Sequence, residues 1–282
     1  LKIIIKVLAT DKELVANNLH RLSNQLNFVD FGQVLLHVVV TFFIIFPNME
    51  REYQVIARTA VCTLNSLWLA MYPIMSALSI SRILVVKEII SPNKFPVYLK
   101  AFIVIGWLYT IGVWLWGCFT QNMIISGVGL AYDLTKFAAP TLSQLEWYLC
   151  VPSLIVTCGA YFVIVLHMQA TKRNAGHLSW SREAKILFQA TFLTIYMLAL
   201  VVVWHYSDQW LKTDASIALL QITWILFLYC NPILLISLNP TIRKKVTQSI
   251  ACSLFCHPTP RGISTSVSKS SFVWHRSSLR VR

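Results

Sequence analysis

The chain has 282 residues, 56% of them hydrophobic and only 12% charged, with a mean hydropathy of +0.63. Those values exclude an ordinary water-soluble domain, in which about a quarter of the residues are charged. A formal net charge of +13 would point a soluble chain toward nucleic acid; here the excess lies between and beyond apolar runs, where anionic membrane lipid is the expected partner and nucleic acid is not.

Residues 1–9 (LKIIIKVLA) form a short apolar stub interrupted by Lys2 and Lys6. It reads as the cytoplasmic end of a helix whose remainder is missing, and it lacks the layout of a signal peptide. Six apolar segments follow, at about 22–46, 55–86, 101–119, 146–168, 186–206 and 216–238. Each has roughly the 20 residues needed to span a bilayer. No strand-like alternation runs through them, and a backbone in lipid must satisfy its own hydrogen bonds, so helices are expected. The fold class is an all-α membrane protein, a helical bundle over residues 1–256.

After the last span, TIRKKVTQSIACSLFC places Ile242, Val246, Ile250 and Leu254 at near-helical spacing beside Arg243, Lys244 and Lys245. An amphipathic surface helix over 240–256 is expected there, lying on the membrane. Cys252 and Cys256 are then either lipidation sites, as juxtamembrane cysteines near a basic helix often are, or ordinary free thiols. Residues 257–282, rich in Ser, Thr, Pro and Arg, read as a disordered cytoplasmic tail.

Charge sets the topology. Twenty of the 24 lysines and arginines fall before the first segment, after the second, after the fourth or after the sixth, while the alternate connections hold Arg51, Arg58, Lys136 and Lys212. Basic flanks stay in the cytoplasm, so a multi-pass protein of the cell membrane with both ends cytoplasmic is expected. Six spans plus the stub fit a seven-helix protein that lacks most of its first helix; a six-helix protein is the alternative.

Polar residues within spans mark where function should be sought, because each is costly in lipid and turns inward. Asp30 lies about two turns into the first span, with no Lys or Arg in helical reach. Asn231 and Pro232 sit in the last span, where proline frees a carbonyl. Together they suggest a polar switch or cation site, or else a structural hydrogen-bonded pair. Arg82, near the end of the second span, is either a snorkelling anchor or a gate to a cytosolic partner. Cys62 is in reach of Cys118 or Cys150, with the pairing left open.

At these residues the chain resembles the rhodopsin-like G-protein-coupled receptors and, more narrowly, the nematode serpentine chemoreceptors, class T first and class X second. The resemblance rests on NFVD at 27–30, NSLWLAMYPIMSALSISR at 65–82, Trp107, Pro152 and CNPILLISLNPTIRKK at 230–245. It implies a small-molecule ligand on the outer side and a heterotrimeric G protein on the inner side. By that likeness Asp30 matches the allosteric sodium-site aspartate, Arg82 the arginine closing the third receptor helix, and Asn231 with Pro232 the seventh-helix motif. Ser81 stands where an acidic residue is usual and Leu235 where a tyrosine is, which weakens transfer of the standard activation mechanism. Glu183 becomes the candidate counter-charge for Arg82.

Counting about four and five turns back from Arg82 brings Trp68 and Leu64 onto a similar face, with Asn65 beside them. Gln221 and Trp224 lie two to three turns from Asn231. An outer cavity lined by Asn65, Trp68, Gln221 and Trp224, with Trp204 and His205, is therefore expected, suited to a modest-sized, partly hydrophobic ligand. No H-E-x-x-H, G-x-S-x-G or Walker loop occurs and the seven histidines are scattered, so neither an enzyme nor a cofactor is expected. The rival function is a six-helix small-molecule transporter.

Overall fold

The computed structural model describes residues 2–11, 18–91, 96–172 and 180–255 and is 86% helical. In chain order the elements are α1 (Lys2–Thr10), α2 (Asn18–Ile45), α3 (Pro47–Glu52), α4 (Gln54–Val86), α5 (Val97–Thr120), β1 (Met123–Ser126), β2 (Gly129–Tyr132), α6 (Ala138–Lys172), α7 (Trp180–His205), α8 (Ser207–Trp210), α9 (Asp214–Leu238) and α10 (Pro240–Phe255). Six of them, α2, α4, α5, α6, α7 and α9, are long and apolar enough to cross a membrane. The protein is therefore a multi-pass, all-α membrane protein. Large apolar side chains such as Phe28, Val38, Leu108, Phe162 and Leu219 stand exposed around the bundle, a coat that lipid covers without penalty.

Helices outrun their apolar segments. Helix α6 begins at Ala138 and α7 at Trp180, because helical hydrogen bonding continues into polar turns past the hydrocarbon band. Helix α9 opens on a capping box in which Thr213 Oγ1 accepts from the Ser216 backbone N–H at 3.2 Å and Ser216 Oγ from that of Thr213 at 3.3 Å. Asn239 Oδ1 accepts from the N–H groups of Thr241 and Ile242, at 3.1 and 3.2 Å, which ends α9 and starts α10.

Helix α4 is the axis of the bundle. It packs against α2, α5 and α6, and 67% of its apolar stretch is buried against 22% for peripheral α5. Close approach of these two depends on Gly106, where an added Cβ would lie 2.6 Å from Pro73 Cβ. The main core gathers Val29, Trp68, Leu69, Tyr72, Met197 and Leu228 from four helices.

Six crossings place α1 and α10 at the same end of the bundle. Ile4, Val7 and Leu8 of α1 pack on Leu235, Ile242 and Val246, and Lys245 Nζ meets Asp11 Oδ1 at 2.6 Å. The apolar stripe of α10 is thus divided: Ile242 and Val246 are covered by α1, and Ile250 remains exposed. A stripe given wholly to lipid was the expectation; the stub takes half of it. Side chains of Glu183 and Cys252, and all of residues 256–282 including Cys256, lie outside the described residues.

One element departs from the all-helical expectation. Residues 123–132, in the connection between the third and fourth apolar segments, form an antiparallel hairpin with Ser126 opposite Gly129. Its two-residue turn has Gly127 at φ 59, a conformation that glycine adopts without strain.

Candidate functional site

Helix α2 carries the organising feature. Ser23, Asn27, Asp30, Gln33 and His37 follow one another at helical spacing, and all five are buried. Residues three and four apart share a face, so this is a single polar stripe turned into the bundle. It runs between two cavities, one toward the α1/α10 end and one toward the hairpin end.

The cavity toward the α1/α10 end has free space of about 20 Å³, with Ser23, Arg82, Tyr161, Gln189 and Asn231 in its wall. Asn231 is its hub. Its Nδ2 donates to Asn27 Oδ1 and Asp30 Oδ2, both at 3.2 Å, and its Oδ1 accepts from Gln189 Nε2 at 3.4 Å. Three helices are joined through one amide. Asp30 Oδ1 and Asn27 Nδ2 are left without partners among the described residues. Asp30 and Asn231, singled out in the sequence, thus meet directly, and Pro232 follows within α9.

Arg82 lies at the edge of this cavity. Its Nη1 donates to Tyr161 Oη at 3.2 Å, with the guanidinium 5.8 Å from that ring's centre. Ser81, where an acid was noted as missing, donates to its own helix at Ala77 O, 2.7 Å. The described partner of Arg82 is therefore a phenol, and nothing in the sequence singled out Tyr161.

The second cavity is narrow, with free space of only about 20 Å³. Asn65, Trp68, Trp204, Gln221 and Trp224 all line it, together with Gln33, His37, Leu64, Met123 and Leu130. Trp68 and Trp224 are packed with ring centres 4.1 Å apart, and Trp204 meets Trp224 at 5.5 Å. His205 is elsewhere: its ring packs on Trp147 at 4.5 Å and its Nδ1 pairs with Val201 O at 3.0 Å. One residue past Trp204, it is turned about 100° around α7, onto α6.

Two stripe residues bring unmet polar atoms to this cavity. Gln33 donates Nε2 to Met71 Sδ at 3.1 Å, but its Oε1 has no partner among the described residues, nor has His37 Nε2. A buried polar atom without a partner costs about 1–3 kcal/mol, so a guest able to satisfy them binds with an advantage over a purely apolar one. The walls are aromatic and aliphatic; the polar contacts are few and grouped. That combination is typical of small-molecule sites.

The hairpin closes the cavity. Met123 and Leu130 face it, and Tyr132 accepts from Asn65 Nδ2 at 3.3 Å while donating to the Glu146 carboxylate of α6. Burial and then the Glu146 charge push the Tyr132 phenol well above its ordinary pKa, which keeps it a donor. Arg58 ties the hairpin's end to α4, donating from Nη1 to Gln121 O at 2.7 Å and to Asp133 Oδ2 at 2.9 Å. Hydrogen bonds from Thr135, with that from Arg58, hold Asp133 below the usual carboxylate range. Cys62 packs in the cluster at this end with Cys118 against it; Cys150 lies in the main core, and all three are unbridged.

Among the described residues no three His, Cys, Asp or Glu side chains converge as a metal site. No known protein family, curated protein or solved structure matches the chain.

Proposed function

We propose that the protein is a chemosensory-type receptor of the serpentine, G-protein-coupled kind, which takes a small molecule at the hairpin end and signals from the α1/α10 end to a cytosolic heterotrimeric G protein. The observation that carries the reading is the α2 stripe: one row of buried polar side chains reaches from an aromatic-walled cavity to the Asn231 and Arg82 region about 20 Å along the helix axis. A guest pairing with Gln33 or His37 acts on the same helix whose Asp30 holds Asn231, and so biases the packing of α2 against α9. The unpartnered Asp30 Oδ1 supports a bound monovalent cation as part of that switch. That twenty of the 24 basic residues fall on one side of the alternation, the side that carries both ends of the chain, supports a cytoplasmic α1/α10 end.

The test is direct. Express the chain with G protein, find a small molecule that stimulates nucleotide exchange, and replace Asn65, Trp68, Gln221 and Trp224 by alanine together. Loss of response at unchanged surface expression is expected; an unchanged response refutes the site.

One observation favours a second reading. A polar row between two cavities, with atoms at Asn27, Asp30, Gln33 and His37 that lack partners among the described residues, is also what a six-helix small-molecule transporter requires. Uptake of the same compound into vesicles lacking G protein decides for the transporter, and exchange without uptake decides for the receptor.

A further inference from the structure

A cleft unrelated to the two cavities above opens between the first turns of α2 and α5, at the α1/α10 end, with free space of about 280 Å³. Its wall holds Asn18, Arg21, Leu22, Gln25, Lys100, Ile103 and Val104. Both helices begin at this end, and on both the chemistry changes in the same direction with depth. Arg21 and Lys100 lie in or just after the first turn and are exposed; Leu22 and Ile103, one to three residues further along, are buried in a cluster with Ala77 and Leu78 of α4. Val104 stands beyond Lys100 at a rise of about 6 Å toward the membrane centre. Neither cation is in an ion pair among the described residues. Gln25 adds a buried Oε1 that lacks a partner among them.

We infer that this cleft is a binding site for one anionic phospholipid, its phosphate between Arg21 and Lys100 and an acyl chain on Leu22, Ile103 and Val104. Two cations at headgroup level above an apolar floor reproduce the polarity gradient of a lipid molecule, which a soluble anion does not possess. Phosphatidylserine, with a net negative charge, suits the two cations better than zwitterionic phosphatidylcholine. The site lies on the lipid-facing perimeter, where its ligand is always at hand. It depends on the membrane-spanning architecture alone and not on the receptor reading.

The experiment is native mass spectrometry of the purified full chain in detergent, titrated with dioctanoyl phosphatidylserine, with dioctanoyl phosphatidylcholine or with inorganic phosphate. One phosphatidylserine should be retained in preference to phosphatidylcholine. Arg21→Gln should weaken that binding roughly fivefold and Arg21→Gln with Lys100→Gln on the order of thirtyfold, from about 1 kcal/mol per basic residue near a membrane surface. The charge-preserving pair Arg21→Lys with Lys100→Arg should retain most of it, and Lys212→Gln, at the opposite end, should leave it unchanged. Equal retention of both lipids, undiminished binding by the doubly neutralised variant, or displacement of the lipid by equimolar inorganic phosphate would each overturn the assignment.

Discussion

Replacing Asn231 by leucine removes the amide that joins α2, α7 and α9 while keeping the side chain's size. It deletes two donated bonds, to Asn27 Oδ1 and Asp30 Oδ2, and the weaker one accepted from Gln189. Helix-to-helix hydrogen bonds in membranes average about 0.6 kcal/mol, so the two donated bonds set a floor of about 1.2 kcal/mol. The larger effect is on what remains, because Asp30, only 1% exposed and with Oδ1 already unpartnered, then loses its described donor. An orphaned buried polar group costs about 1–3 kcal/mol, which brings the expected destabilisation to about 2–4 kcal/mol. Asp30→Leu in the Asn231→Leu background removes the orphan and should recover part of that loss, with a coupling energy on the order of 1 kcal/mol. The assay is equilibrium unfolding of the purified chain in mixed micelles with rising dodecyl sulfate, followed by tryptophan fluorescence, for wild type, both single variants and the double. Coupling below about 0.3 kcal/mol, the limit of ordinary additivity, refutes the claim that Asn231 and Asp30 act as a pair.

Three further outcomes are expected. Tyr132→Phe deprives Glu146 of its donor and Asn65 of its acceptor, and should lower thermal stability by about 1–3 kcal/mol, read from the melting shift; Phe137→Tyr, at an exposed position beyond the hairpin, should not. Gly106→Ala forces a Cβ to within 2.6 Å of Pro73, so α5 must move outward at a cost of about 1–3 kcal/mol in the same unfolding assay. Asp133 has a folded pKa below its unfolded value, so its contribution is complete above an unfolded pKa of about 3.9 and is lost as pH falls through the lower folded value. Amide exchange of β1 and β2 should therefore stay slow from neutral pH down to about 4, after correction for intrinsic rates, and Arg58→Gln should speed it already at neutral pH; equal protection in wild type and variant counts against the tie.

The spans were legible because hydropathy and charge both register the bilayer, and their ends were not, because helices such as α6 continue through polar turns. Four of the six expected cavity residues could be reached by counting helical turns from Arg82 and Asn231; on α7, which carries neither anchor, Trp204 lines the cavity and His205 does not, since one step along the helix changes the neighbour from the cavity to Trp147. The stripe from Ser23 to His37 had the spacing of a helix face in plain view, yet Asp30 alone stands out in a sequence, as it is the one acidic residue on that face and its neighbours there are neutral or weakly basic. Glu146 was hidden for a different reason. Near the start of a span a carboxylate normally meets water, and the hairpin, an element with two strands of four residues and a modest glycine signal, supplies the Tyr132 hydroxyl that pairs with it. Arg82's phenolic partner is a matter of α4 meeting α6, which no local pattern encodes.

The central position of α4 sets how this molecule tolerates change. Substitutions along Trp68–Leu78 meet neighbours on nearly every side, whereas much of α5 presents its side chains only to lipid, where one aliphatic group serves as well as another. A saturation library scored for surface delivery would thus show a nearly invariant fourth helix beside a permissive fifth, with Gly106 standing out as a rigid position in the permissive one. Drift in such a protein is radial: variation accumulates at the circumference while the axis stays fixed, and a chain built this way can lose recognisable likeness to its kin along most of its length without any change in how it is put together.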